Sequence, residues 1–312
     1  MKSYLYILCG AIALAFAAML AFSAVGMVNC FDCDLLRYQE AKMAAMTDVD
    51  TVILGDSSIG HAIDAREFSR LSGRTTMNLA LTGYNYGIGG AYALLTEMLQ
   101  KKSPPRNVVL AFTPQTYALS FAELEGLPVR GLLQVFRRVP FKAFSLNTRI
   151  SREAAHILSV ELFDRQFLMA GINAYLRGSP PILAGSHGYD YLAPSTDILD
   201  IGKVIEKWSA NPPPDYDIFF SKVAHLCKVH GLNCLYLHST LLELVANRNQ
   251  AFIQALSDRI EGAGLRVPYR WPVAVPSSEI GDTINHIRPS LRRDYTRKFF
   301  ERLEPLLLPP SS

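Results

Sequence analysis

The sequence predicts an α/β fold, a three-layer sandwich with a central, mainly parallel sheet between helices. Three observations point there. Short aliphatic runs alternate with amphipathic stretches over residues 50–113, with brief connections, which is how βαβ units read in one dimension. The same alternation returns after residue 200. The first run, Thr51-Val52-Ile53-Leu54, breaks abruptly at Gly55-Asp56-Ser57-Ser58, placing polar residues where a buried strand would leave the sheet.

Taken in order, Thr51–Leu54 is the first predicted strand, and Asp64–Leu71 follows as a helical turn. Thr75–Leu81 alternates and is rich in β formers, so it is read as the second strand, ending at Thr82-Gly83-Tyr84-Asn85. Leu94, Leu95, Met98 and Leu99 share one side of a helix expected from about Gly90 to Lys101, which Pro104-Pro105 terminates. Asn107–Thr113 is the third strand, stopped by Pro114. From about residue 115 to 200 the rhythm is lost. Helical patterns at Glu123–Val139 and Ser151–Leu176 describe a helical insertion or lid, with Phe136, Arg137, Arg138 and Phe141 open to several roles. A helix at Asp197–Ser209 precedes Pro212-Pro213-Pro214, and another spans Tyr216–His230 with Gly231 as its cap. Leu232–Leu237 is the fourth strand, Asn249–Glu261 a helix, and Leu265–Val275 holds the fifth strand. A polar loop at Ser277–Pro289 leads into a closing amphipathic helix, about Ser290–Leu306.

The amino-terminal stretch Tyr4–Val28 is almost wholly apolar and uncharged, long enough to cross a bilayer core of roughly 30 Å as a helix. The expected organisation is a transmembrane signal-anchor at residues 1–29, a linker at 30–49 in which Asp34–Asp48 reads as a polar-faced helix or linker, a catalytic domain at 50–308 and a short disordered tail. A cleavable signal peptide, with Ala21-Phe22-Ser23 or Ala24-Val25-Gly26 as its exit, is the alternative. Either reading exports the domain. Lys2 before the span and Asp32 and Asp34 after it orient the anchored form with the domain outside, as a single-pass inner-membrane protein facing the periplasm or cell exterior. Five cysteines agree with export: Cys30 and Cys33 form one C-x-x-C, and Cys227 and Cys234 flank a helix-to-strand passage, so disulfides are plausible for both pairs. No second C-x-x-C or paired histidine motif completes a zinc site, and no cofactor motif is present. A net charge of +3, evenly spread, gives no basis for a nucleic-acid partner.

The chemistry is expected beyond the carboxyl ends of the strands, where open parallel sheets bind their ligands. Ser57 is the candidate nucleophile. It needs a base, and the base needs an orienting group. Of seven histidines (His61, His156, His187, His225, His230, His238 and His286), His286 stands in the loop between the last strand and the closing helix, which emerges on the same sheet edge as Ser57. Asp282, four residues upstream, is placed to bond the far ring nitrogen; a helix cap beside an exposed histidine is the plainer alternative.

Gly55-Asp56-Ser57 after the first strand, Asn78-Leu79-Ala80-Leu81-Thr82-Gly83 after the second and Asp282–His286 before the last helix resemble, in order, the blocks of the SGNH (GDSL) hydrolases. The resemblance runs from about residue 50 to 306 and leaves the insertion uncovered. It implies Ser57 as nucleophile, His286 as base, Asp282 as its orienter, and the backbone N–H groups of Ser57 and Gly83 as oxyanion donors. Two features depart from the family. Thr113-Pro114-Gln115-Thr116 stands where a Gly-x-Asn-Asp block is usual, leaving Gln115 or Asn85 as substitute donors, and the Asp-x-x-His spacing is one residue longer. With the anchor, these features are similar to the membrane-tethered branch that moves acyl groups on exported polymers. The implied activity is esterase or O-acyltransferase chemistry on an acylated carbohydrate or other ester of the envelope or an exopolysaccharide, beside a multi-spanning membrane acyltransferase. A catalytically silent scaffolding domain in a polysaccharide assembly, and a lipase or thioesterase, are the alternatives.

Overall fold

The computed structural model describes residues 31–81, 84–118 and 207–309, together with Tyr4, Tyr6, Ile7, Gly10 and Leu14. By its packing the chain divides into a unit of Leu36–Pro128 with Gly185–Ser312, considered below, and one of Met1–Leu35 with Val129–Ala184. In chain order the elements are α1 (Phe31–Ala45), β1 (Thr51–Gly55), α2 (Ser57–Ala62), α3 (Ala65–Ser72), β2 (Thr76–Asn78), α4 (Tyr84–Met98) and β3 (Asn107–Phe112). There follow α5 (Asp217–Val229), β4 (Asn233–His238), β5 (Thr240–Leu242), α6 (Glu243–Arg248), α7 (Gln250–Gly262), β6 (Arg266–Tyr269), β7 (Val273–Val275) and α8 (Arg292–Leu303).

Five strands form one parallel sheet in the order β2-β1-β3-β4-β6. The two most apolar runs, Thr51-Val52-Ile53-Leu54-Gly55 and Asn107-Val108-Val109-Leu110-Ala111-Phe112, are β1 and β3, and every residue of both is buried. Strands covered on both faces require such continuous hydrophobic sequence. On one side of the sheet, α4 and α5 pack together and α7 packs on α5 and β6; on the other, α8 packs against α2 and α3. Periodicity decides which side of each helix faces in. Phe252, Ile253, Leu256 and Ile260 of α7 are buried, as are Tyr295, Thr296, Phe299 and Leu303 of α8.

The α/β class is as the alternation predicts, with differences in detail. α4 begins six residues earlier than expected, at Tyr84, because Gly87, Gly89 and Gly90 lower its local helix propensity while Ile88, Ala91, Leu94, Leu95 and Met98 bury a common stripe. β2 is only three residues long, yet Leu79 and Leu81 continue to donate to the carbonyls of Ile53 (2.8 Å) and Gly55 (2.9 Å), so the extended segment keeps its place beside β1. The single strand expected within Leu265–Val275 is two, β6 and β7. The second leaves the main sheet to pair in parallel with β5, a strand too short to carry an alternating signal.

The expected linker contains α1. From Gln39 onward this helix is joined to the domain: Gln39 Nε2 donates to Ala80 O at 2.7 Å, Lys42 Nζ to Asn78 O at 2.5 Å, and Lys101 Nζ to the carbonyls of Met43 and Met46. Residues 207–209 are not helical. The rest of the helix expected at 197–209, the insertion beyond residue 118 and the tail at 310–312 lie outside the described residues, as does most of the apolar run at 4–28. No helix among the described residues is long and apolar enough to cross a membrane.

Gly231, at φ +62°, turns the chain out of α5 in the left-handed conformation that glycine adopts most readily. Cys227 and Cys234 on either side of that turn form a disulfide with Cα atoms 6.1 Å apart. The side chains of the Cys30–Cys33 pair lie outside the described residues. Closing a loop this short restricts the unfolded chain by roughly 2–3 kcal/mol. Replacing both Cys227 and Cys234 by Ala is therefore expected to lower unfolding free energy in urea by about that amount.

Candidate active site

β1 and β3 are neighbours, but the chain continues outward from β1 to β2 and from β3 to β4, so the strand order reverses between them. A crevice opens at such a switch point beyond the carboxyl ends of the strands. The residues that leave β1 and β3 there are Asp56-Ser57 and Thr113–Thr116.

Asp56 holds the two exits together. It is buried, caps α2, and accepts from Ser58 N (3.0 Å) and the Ser58 hydroxyl through Oδ1; Oδ2 accepts from Thr113 N (2.8 Å) and Thr116 Oγ1 (2.7 Å). Burial pushes its carboxyl above the usual range, and the four donors pull the other way. Gly55 has to be glycine: a Cβ there would lie 1.9 Å from Ala111 O on β3 and 2.7 Å from Ile59 Cγ2. Ser57, the first residue of α2, is thereby set at the mouth of the sheet and half-buried.

The far end of α2 is equally tied. Asn78 Nδ2 donates to the carbonyls of Ile59 (3.3 Å) and Ile63 (3.1 Å), while its Oδ1 accepts from Ala80 N (3.0 Å). From α8, Arg292 Nη2 reaches Gly60 O (3.0 Å) and Ile63 O (3.2 Å), and Thr296 Oγ1 accepts from Asp64 N (2.9 Å). These donors satisfy carbonyls that the last turn of a helix leaves open.

The loop between β7 and α8 is closed by an antiparallel bridge between Ile280 and Ile287 and by Gly281 N donating to His286 O at 2.7 Å. β5 clamps it from outside: Leu242 N donates to Ile284 O (2.6 Å) and Thr240 Oγ1 to Asn285 O (2.6 Å). His286 is thus carried to Ser57, with its Nε2 2.8 Å from Ser57 Oγ and its Nδ1 2.9 Å from Asp282 Oδ1. The turn within the loop, where His286 N donates to Thr283 O, brings Asp282 back under the ring despite the four-residue spacing.

The hydrogen bond from His286, and its charge, hold the Asp282 carboxyl below the usual carboxylate range. An ionised carboxylate only accepts, so Nδ1 carries the proton and Nε2 is left as the acceptor facing the Ser57 hydroxyl. His286 has 12% of its side chain exposed and Asp282 40%, so the base is sheltered while its orienter reaches solvent.

The other expected oxyanion donors are unevenly placed. Gly83 lies outside the described residues; Asn85 stands in the first turn of α4, its side chain outside them; Gln115, half-buried, lies in the 3₁₀ turn Pro114–Tyr117 after β3. Several supporting residues went unassigned in the sequence. Asn78 opens the Asn78–Gly83 block, and nothing local in it marks the bonds to α2. Thr240 and Arg292 had no local signal, since each acts on an element distant in sequence. No group of residues among those described is arranged to hold a metal ion.

Fold and site together define an α/β protein carrying a hydroxyl–imidazole–carboxylate relay at the switch point of a parallel sheet. No protein-family model matches the chain, and no curated protein matches it in sequence.

Asp282→Asn tests the relay's third member. Its amide can no longer compensate a charge on the His286 ring or hold the Nδ1–H through an ionised acceptor. The lowered pKa of Asp282 means that its stabilising contribution is complete above ~4, the unfolded carboxylate value, and fades as pH falls through the folded one. Acid unfolding curves of wild type and Asp282→Asn are therefore expected to converge at low pH.

Proposed function

We propose that the chain is a serine-dependent acyl-transfer enzyme of SGNH type, acting on an exported ester through an acyl-serine intermediate. The observation that carries the reading is the continuous relay from Ser57 Oγ through His286 to Asp282, with both links within hydrogen-bond reach. In the first half-reaction Ser57 Oγ attacks the ester carbonyl carbon and its proton passes to His286 Nε2. Collapse of the tetrahedral intermediate breaks the bond to the leaving oxygen, which takes that proton. In the second, an acceptor hydroxyl gives its proton to His286 and attacks the acyl carbon, and Ser57 leaves with the proton restored. Water as acceptor makes the enzyme an esterase; a sugar hydroxyl makes it an O-acyltransferase. In this reading the Ser57 N–H, at the start of α2, meets the oxyanion, with Gly83 N–H and either Gln115 or Asn85 as further donors.

Residues 4–28 serve in this reading as an uncleaved membrane anchor that keeps the domain outside the inner membrane. Their apolar length and the Cys227–Cys234 disulfide support it. The substrate is then an acylated envelope or exopolysaccharide carbohydrate, with a multi-spanning membrane acyltransferase as the partner that carries acyl groups outward across the bilayer.

Treating the full-length protein in detergent with a serine-directed phosphonate, then mapping the modified peptide by mass spectrometry, tests the assignment. The expected adduct is on Ser57. Modification of Ser58, whose hydroxyl is engaged by Asp56, or no modification of the folded protein, would count decisively against it.

A further inference from the structure

One side chain of α2 faces the relay without belonging to it. His61 stands one helical turn after Ser57, on the same face. Its ring lies on that of His286, with centroids 4.1 Å apart and planes inclined by 34°. The backbone on both sides of His61 is held: Arg292 of α8 binds the carbonyls of Gly60 and Ile63, and Asn78 binds those of Ile59 and Ile63. The backbone that carries His61 is therefore fixed, and its ring rests against that of His286.

We propose that His61 is a positioning residue for the relay: stacked on His286 from the nucleophile's own helix, its flat ring keeps the imidazole in the single plane that serves Ser57 and Asp282 together. This rests on the acyl-transfer reading above. The stack matters most when Ser57 is acylated. The esterified oxygen then has no proton to donate, the 2.8 Å bond to His286 Nε2 is gone, and only Asp282 and the stack aim the ring at the incoming acceptor.

Charge balance agrees with this role. Burial first, then the neighbouring His286 with Arg292 adding to it, bring the His61 ring down to about 3, against the opposing pull of Asp282. His61 stays neutral while His286 takes up the travelling proton. A neutral aromatic face over an imidazolium is an attractive arrangement, whereas a second cation there would oppose proton transfer.

The test separates acylation from deacylation in the full-length protein, using a chromogenic acetyl ester in stopped flow. His61→Ala is expected to slow deacylation by about tenfold more than acylation, so that acetyl-enzyme accumulates, while His61→Phe, which keeps a flat ring, stays near the wild-type ratio. Equal slowing of both steps in His61→Ala, or no slowing, overturns the proposal, as does a His61→Phe variant that behaves like His61→Ala. Should His61→Ala fail to fold, His61→Leu replaces it, filling the space without a flat ring. If wild-type Ser57 proves unreactive, the acyl-transfer reading fails but the positioning claim is still decided by proton NMR of the His286 Nδ1–H bonded to Asp282. That resonance is expected to be sharp in wild type and His61→Phe and broadened by exchange in His61→Ala; equal sharpness in all three overturns the claim.

Discussion

Ser57→Ala and His286→Ala are each expected to reduce kcat/KM toward a chromogenic acetyl ester by about 10,000-fold, and the double variant to be scarcely worse than either alone. The reason lies in the relay. Ser57 Oγ is a poor nucleophile until His286 Nε2 accepts its proton, and a base without its hydroxyl has nothing to activate. Groups that act as one unit do not contribute additively. Neither substitution should cost more than about 1 kcal/mol of stability, because neither side chain anchors the fold: α2 is held through Asp56, Asn78, Arg292 and Thr296. Steady-state kinetics beside thermal melts of each variant check both statements. Additive losses in the double variant would show that Ser57 and His286 do not work together.

Gly55→Ala is expected to be the most damaging change to the fold among substitutions outside the relay. A methyl group at this position would stand 1.9 Å from the Ala111 carbonyl oxygen, far inside contact distance, at the carboxyl end of two fully buried, paired strands. The obstacle is backbone, so no side-chain rearrangement relieves it. β1 and β3 would have to part, and the Asp56 hydrogen bonds to Thr113 and Thr116 span that seam. Overpacking of this kind costs about 3 kcal/mol or more, a large share of a domain's net stability. Gly262→Ala is the matching control, because nothing lies within 4 Å of the Cβ it would gain at the end of α7. Urea unfolding of the two variants should differ by about 3 kcal/mol; near-equal stabilities would mean that the β1–β3 seam is looser than the packing indicates.

The parts legible in the sequence were those whose cause is local. β1 and β3 announce themselves because burial on both faces demands continuous apolar residues, and Gly231 marks a turn because few residues accept a left-handed backbone. The candidate pair Ser57 and His286 was visible because each follows a strand, although the strand before the His286 loop, β7, pairs with β5 outside the sheet that holds β1. What stayed hidden depends on partners distant along the chain. β5 and β7 have three residues each and exist as strands only because they pair with one another, so the clamp of Thr240 and Leu242 on the His286 loop had no local sign. Asn78 reads as an ordinary strand end until α2 is laid across it. The glycines of α4 read as a loop because propensity is local, whereas the helix there is decided by the stripe it buries.

The most direct test of the central claim is to mix the full-length protein with excess acetyl ester, quench within milliseconds and weigh the intact chain. The account predicts one added acetyl group, mapped to Ser57 in wild type, absent in Ser57→Ala and slow to form in His286→Ala. An acetyl group carried on any other residue, or ester turnover that survives in Ser57→Ala, would contradict it.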